Sequence, residues 1–137
     1  RALSKAINRD AIVERIMDKA ALAAGDLGPP GYFGTSPDLR PEPFDLEGAR
    51  RLLAEAGLPE GFTLTLHGPS DRYVNDEKII QAVGQMWSRA GVQTKVEAIT
   101  WPSFIGRASK QEFSAFFAAW RFAGCSRTRS STRGTGT

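Results

Sequence analysis

From residue 62 onward the hydrophobic period changes from two to about 3.6 and back, twice over, and no other feature limits the fold as tightly. Phe62, Leu64 and Leu66 alternate with Thr63, Thr65 and His67, which predicts a strand with His67 pointing outward. Gly68 and Pro69 end it. Over residues 76–90, Ile79, Ile80, Val83, Met86 and Trp87 line one side of a helix that Asn75 or Asp76 caps. Met86 and Trp87 read as core on that stripe. Gly91 stops the helix and Val92 follows. Val92, Thr94, Val96 and Ala98 then share one face of a second strand. A short helix over residues 102–110 is entered through Trp101-Pro102, with proline in the first turn where its missing N–H does no harm. Residues 112–120, EFSAFFAAW, are nearly all apolar, as expected of a strand covered on both faces. Crossovers of this length favour parallel strands and right-handed connections. The expected fold class is α/β: a small, mostly parallel sheet layered with helices.

The upstream half supplies helices and one long loop. Residues 1–19 read as a helix broken once, with Leu3, Ala6 and Ile7 on one face and Ile12, Val13 and Ile16 on the next. Asn8 is placed to cap the second piece, and Asp10 suits the positive end of a helix. Residues 25–45 hold a density of Pro and Gly that excludes a helix or central strand, with Tyr32 and Phe33 as its anchors. Asp45 then caps a helix whose stripe is Leu46, Ala49, Leu52, Leu53 and Ala56. Gly57 supplies the left-handed stop, Leu58 the contact after it and Pro59 the break.

The 137 residues suffice for one core, and 41% hydrophobic with 24% charged residues is ordinary for a globular domain. The formal charge of +3 resides in Arg127, Arg129 and Arg133; without them 15 basic residues balance 15 acids. A neutral body offers no electrostatic footprint for nucleic acid, so no nucleic-acid partner is expected. Cys125 is the only cysteine and His67 the only histidine. This excludes an internal disulfide, argues against a zinc site and gives poor support for acid–base chemistry. No metal or cofactor is expected. No apolar run reaches the ~18 residues of a membrane span. Arg1 stands directly in amphipathic sequence without a methionine, which suggests a piece of a longer protein. Residues 125–137, CSRTRSSTRGTGT, cannot bury a face and are expected to be a disordered tail. A change of reading frame or truncation would account for the abrupt shift in composition there, and the coding DNA read in its other frames tests that.

The ordered series of motifs resembles a known family. RALSKAINRDAIVERIM, a Pro/Gly loop with PDL, then FDLEGARRLLAEAGLPEGFTLTL are similar to the peptide, dipeptide and nickel solute-binding proteins of ABC importers, family 5. DEKIIQAVGQMWSRAGVQTKVEAITWPSF and FSAFFAAW continue the series in order, so the resemblance covers residues 1 to about 124. It implies a periplasmic binding protein-like fold of two lobes closing on a solute. Residues 1–124 would be part of the second lobe only, an incomplete lobe. It further implies an exported, periplasmic or cell-envelope protein that hands a small peptide-like solute to ABC permease subunits in the membrane.

Open α/β sheets bind ligands beyond the carboxyl ends of their strands, which selects three places. The first is HGPSDRYVND, where Arg72 suits a ligand carboxylate, Tyr73 can stack or donate, and Asn75 precedes a helix start; the bland alternative is an ordinary surface loop. The second is Trp101, either a cleft wall or simple packing. The third is Trp120-Arg121. Relatives that take peptides often carry an acid shortly after that tryptophan, and none stands in residues 122–126 here. The expected function is binding by lobe closure without catalysis; the alternative is a small α/β enzyme. An incomplete lobe would expose a sheet edge, so self-association through that edge is a further expectation.

Overall fold

In the computed structural model of the chain, residues 1–28, 32, 34–36 and 38–119 are described. The helix expected over residues 1–19 is split into α1 (Ala2–Lys5) and α2 (Arg9–Arg15). Asn8 makes the split: its extended backbone leaves the helix and its side chain accepts from the Ala11 N–H at 3.0 Å. No regular element lies among the described residues between Arg15 and Leu46. Tyr32, expected to anchor that loop, is 39% exposed, and Phe33 falls outside the described residues. Helix α3 (Leu46–Glu55) is capped by Asp45, which accepts from Gly48 N–H at 2.8 Å. It ends where Gly57 turns left-handed and the Leu58 N–H returns to the Leu53 carbonyl at 2.9 Å.

The second half follows strand β1 (Thr63–Pro69), helix α4 (Asp76–Arg89), strand β2 (Gln93–Ile99), helix α5 (Trp101–Ser109) and strand β3 (Ala115–Phe116). Both strand pairs are parallel and the order is β2-β1-β3, so β1 is central. The alternating periods thus give the parallel α/β layer they predicted, because each helix carries the chain back to start the next strand from the same end.

The faces of β1 separate by residue parity. Leu66 and Gly68 turn toward α4: Leu66 is 3% exposed, and a Cβ on Gly68 would meet Ile80 of α4 at 2.9 Å. Ala6, Ala49, Leu53, Leu66, Ile80, Trp87, Ala90 and Val92 form one buried cluster joining α1, α3, α4 and β1. Met86 and Trp87 lie on this side as read: Trp87 is buried with its indole N–H on the Leu3 carbonyl at 3.0 Å, and the Met86 sulfur accepts from the Asn8 N–H at 3.4 Å. Gly84 lets α4 settle on β2, since a Cβ there would overlap Val96. Gly61 (φ 73°) lets β1 begin against the end of α4, where a Cβ would overlap the Gly91 carbonyl.

Two expectations are corrected. His67 does not point outward to solvent: it is 6% exposed. Period-two patterning tells which side a residue faces, not whether that side is covered. Here α5 and the segment leading to β3 cover it, and Phe113 stacks on the imidazole at 4.2 Å. The third strand is also far shorter than EFSAFFAAW, pairing only at Ala115 and Phe116, and Phe116 is 53% exposed. Its apolar run meets β1 on one edge, and among the described residues nothing pairs with the other.

Candidate functional site at the strand carboxyl ends

Because all three strands run the same way, their carboxyl ends gather at one edge of the sheet. A groove of about 470 Å³ opens there. Arg72, Tyr73 and Trp101 line it together with Phe104, Ile105 and Phe116, and small residues complete it: Ala108, Ser109, Ala118 and Ala119. Sequence reasoning named the first three; the structure brings them into mutual contact. The Arg72 guanidinium carbon lies over the Trp101 ring at 5.0 Å and 6.0 Å from the Tyr73 ring centroid. Tyr73 meets Trp101 edge-on at 5.9 Å. Such a cation over aromatic faces is worth about 0.5–1 kcal/mol when exposed. Among the described residues Arg72 makes no ion pair, so its charge is open to an anion.

Trp101 does both things its position allowed. It stacks on buried Phe104 at 5.7 Å, which is packing, and its half-buried ring still faces the groove. Phe104 continues the layer to Phe113 at 5.3 Å. Asn75 is not among the lining residues: its side-chain amide donates to the Ile16 carbonyl at 2.8 Å, tying the loop to the end of α2. Trp120 and Arg121 lie outside the described residues.

The residues that hold the groove's rim were not singled out for that role. Asp76 is 4% exposed, and its carboxylate accepts from the N–H groups of Arg72 and Tyr73, each at 3.0 Å, and of Glu77 at 2.8 Å. Burial pushes this carboxyl up, but the Tyr73, Arg72 and Glu77 donors together outweigh burial and hold it below the ordinary value. Asn75, in the left-handed conformation at φ 56°, turns the chain so that Asp76 faces back along the loop. An Asn-Asp pair opening a helix was the available signal, read there only as a cap. Asp71 accepts from the Trp101 N–H at 2.8 Å.

Behind the groove, His67 Nε2 lies 3.2 Å from Glu97 across the β1–β2 pair, and Glu97 also meets Lys95 at 2.8 Å. The Lys95 hydrogen bond, then its charge, hold the Glu97 carboxyl below its ordinary value. This polar pair braces the sheet under the aromatic layer.

A parallel α/β layer with such a groove beyond its strand ends is the arrangement found in a lobe of the periplasmic binding-protein type, and similar solved structures share the fold. DppA from Helicobacter pylori, an ABC transporter-associated periplasmic binding protein in complex with peptide STSA, superposes with a TM-score of 0.79 at 28% identity, over 87% of this chain and 23% of that one. HbpA2 from Haemophilus parasuis gives a TM-score of 0.80 at 29% identity, over 87% and 24%. The dipeptide-binding protein of Escherichia coli (strain K12) is 32% identical over 122 residues, 87% of this chain. Residues 1–126 match the family model of the bacterial extracellular solute-binding proteins, family 5 Middle. The chain belongs to that family. It spans 23% of the length of the Escherichia coli protein. Among the described residues, no helix is long and apolar enough to cross a membrane.

Proposed function

We propose that this chain is part of the second lobe of a solute-binding protein that takes a peptide-like solute bearing a carboxylate and hands it to an ABC permease outside the cytoplasm. Residues 1–124 form the lobe segment and residues 125–137 a tail beyond it. The observation that carries this reading is the exposed Arg72 guanidinium, without an ionic partner among the described residues, held over Trp101 at the edge where three parallel strands end. The guanidinium suits two-pronged contact with a carboxylate. Tyr73, Trp101, Phe104 and Phe116 offer an apolar wall for the rest of the solute. Trp120 and Arg121 belong to this reading as further candidate solute contacts, and Asn75 would act on the loop that carries Arg72 rather than on the solute.

A groove with one cation, one phenol and otherwise apolar or small side chains suits holding a molecule rather than transforming it. Contact with the solute would favour a closed arrangement of two lobes, each supplying part of the surface. One lobe segment should then bind weakly. Calorimetry of the 137-residue chain against di- and tripeptides tests this: weak, millimolar binding is expected, and tight binding would contradict the two-lobe account. Among the described residues no strand pairs with the outer edge of β3, and a sizing column shows whether copies of this chain cover it for one another.

A further inference from the structure

We propose that Asp71 is a positioning residue, whose carboxylate holds the Trp101 N–H and thereby keeps the indole against the Arg72 guanidinium. The proposal rests on the carboxylate-binding reading of the groove for its functional half. Its structural half stands on the geometry alone.

Arg72 and Trp101 belong to different elements, the loop after β1 and the first turn of α5, so nothing local keeps them together. Two cross-links do. The Ser70 N–H donates to the Ile99 carbonyl at 2.9 Å, carrying the sheet ladder one residue beyond β1. The Trp101 N–H then donates to Asp71 Oδ1 at 2.8 Å. A helix start normally has its first N–H groups met by its own cap. Thr100 precedes α5 but makes no such bond; its hydroxyl meets the Ser103 hydroxyl at 3.3 Å instead. Asp71 therefore caps α5 from another loop, with a carboxylate at the positive end of the helix. The residue beside it in sequence is Arg72, and Asp76 fixes Arg72 by its own N–H at 3.0 Å. Arg72 is thus held from one side by Asp76, while Asp71 ties the same loop to Trp101. A guanidinium lying over an indole has one side covered and its donors left for an acceptor on the open side. Releasing Trp101 would leave Arg72 free to sample many rotamers, and a mobile cation discriminates carboxylates poorly.

The test uses the ¹⁵N-labelled chain and three forms: the parent, Asp71→Ala and Asp71→Asn. In Asp71→Ala the Trp101 amide should exchange about tenfold faster or more, as a charge-assisted bond is lost. The Arg72 side-chain protons should lose the shift imposed by the indole ring. Unchanged protection at Ile80 and Val92 would show that the core is intact. Asp71→Asn keeps an acceptor oxygen in place and should restore most of both signals. The dipeptide Leu-Leu and its C-terminal amide are then titrated at millimolar concentration. The parent and Asp71→Asn should favour the free carboxylate, and Asp71→Ala should lose about threefold to tenfold of that preference. Unchanged Trp101 exchange and Arg72 shifts in Asp71→Ala would overturn the proposal. Changed signals with an undiminished carboxylate preference would overturn its functional half. A parent without any preference would sink the carboxylate reading of the groove, while the ligand-free signals would still decide the role of Asp71.

Discussion

On the α4 side of the sheet, Leu66, Ile80 and Val92 are 3%, 1% and 0% exposed, and α4 lies so close to β2 that Gly84 has no room for a Cβ. On the α5 side, Phe104 is as deeply buried, yet Phe116 and Ile105 are 53% and 44% exposed, and a cation lies over the aromatic layer. One sheet thus carries two kinds of surface. The aliphatic side is packed under α1, α3 and α4. The aromatic side is covered near β1 and open at the strand ends. Stability and recognition need opposite things from apolar surface, one its removal from water and the other its availability. The parallel sheet lets both exist back to back.

Four variants break or sharpen this division, taken from the largest effect down. Ile80→Ala should lower unfolding free energy by about 2–5 kcal/mol in urea titration, because the buried site lies between packed elements and cannot collapse. Gly84→Val should cost about 1–3 kcal/mol by pushing α4 off Val96, read in the same titration. Either loss should leave the Arg72 and Trp101 contact intact in the population that remains folded, and a joint loss would show that the two sides are not separate.

Asp76→Ala should cost about 1–3 kcal/mol by leaving the Arg72, Tyr73 and Glu77 N–H groups without their acceptor. Its pH dependence follows from a folded carboxyl held below its ordinary value. Such a group contributes its full stability above the unfolded value, and that contribution is lost as pH falls through the lowered folded value. The gap between the parent and Asp76→Ala should therefore be full above pH 3.8 and close progressively below it, as measured by unfolding at stepped pH. A gap that widened on acidification would contradict this account of Asp76.

Arg72→Ala comes last in stability, within about 1 kcal/mol, as expected for an exposed side chain whose main contact is a cation over aromatic rings. Its effect belongs on binding: the preference for a carboxylate over its amide should vanish in an NMR titration. A stability loss as large as that of Ile80→Ala would erase the distinction between the two sides.

Local chemistry was legible in the residues. Asn8 and Asp45 cap the helices they were read to cap. Gly57 and Gly91 stop α3 and α4 in the left-handed conformation. The alternating periods implied parallel strands, and parallel strands implied a gathering point near Arg72 and Trp101. The failures have a common origin. Alternation places His67 on the outward side but says nothing of what lies there, and Phe113 comes from 46 residues farther along the chain to cover it. Asn75 adjoins Arg72 in sequence, yet its amide reaches the Ile16 carbonyl, a contact no local pattern reveals. The apolar run EFSAFFAAW predicts a full strand, but apolar content does not reveal how many partners a strand finds, and only Ala115 and Phe116 pair.

Caps, stops and periods are settled within a few residues, so the order of strands and helices was already determined by the sequence, and with it the parallel layer. Contacts between distant segments are not: whether His67 is covered, whether Trp101 meets Arg72, and whether Asp71 caps a helix thirty residues on depend on how the layers stack. Those are choices of tertiary packing, in which each side chain's surroundings are assembled from parts of the chain that no local pattern connects.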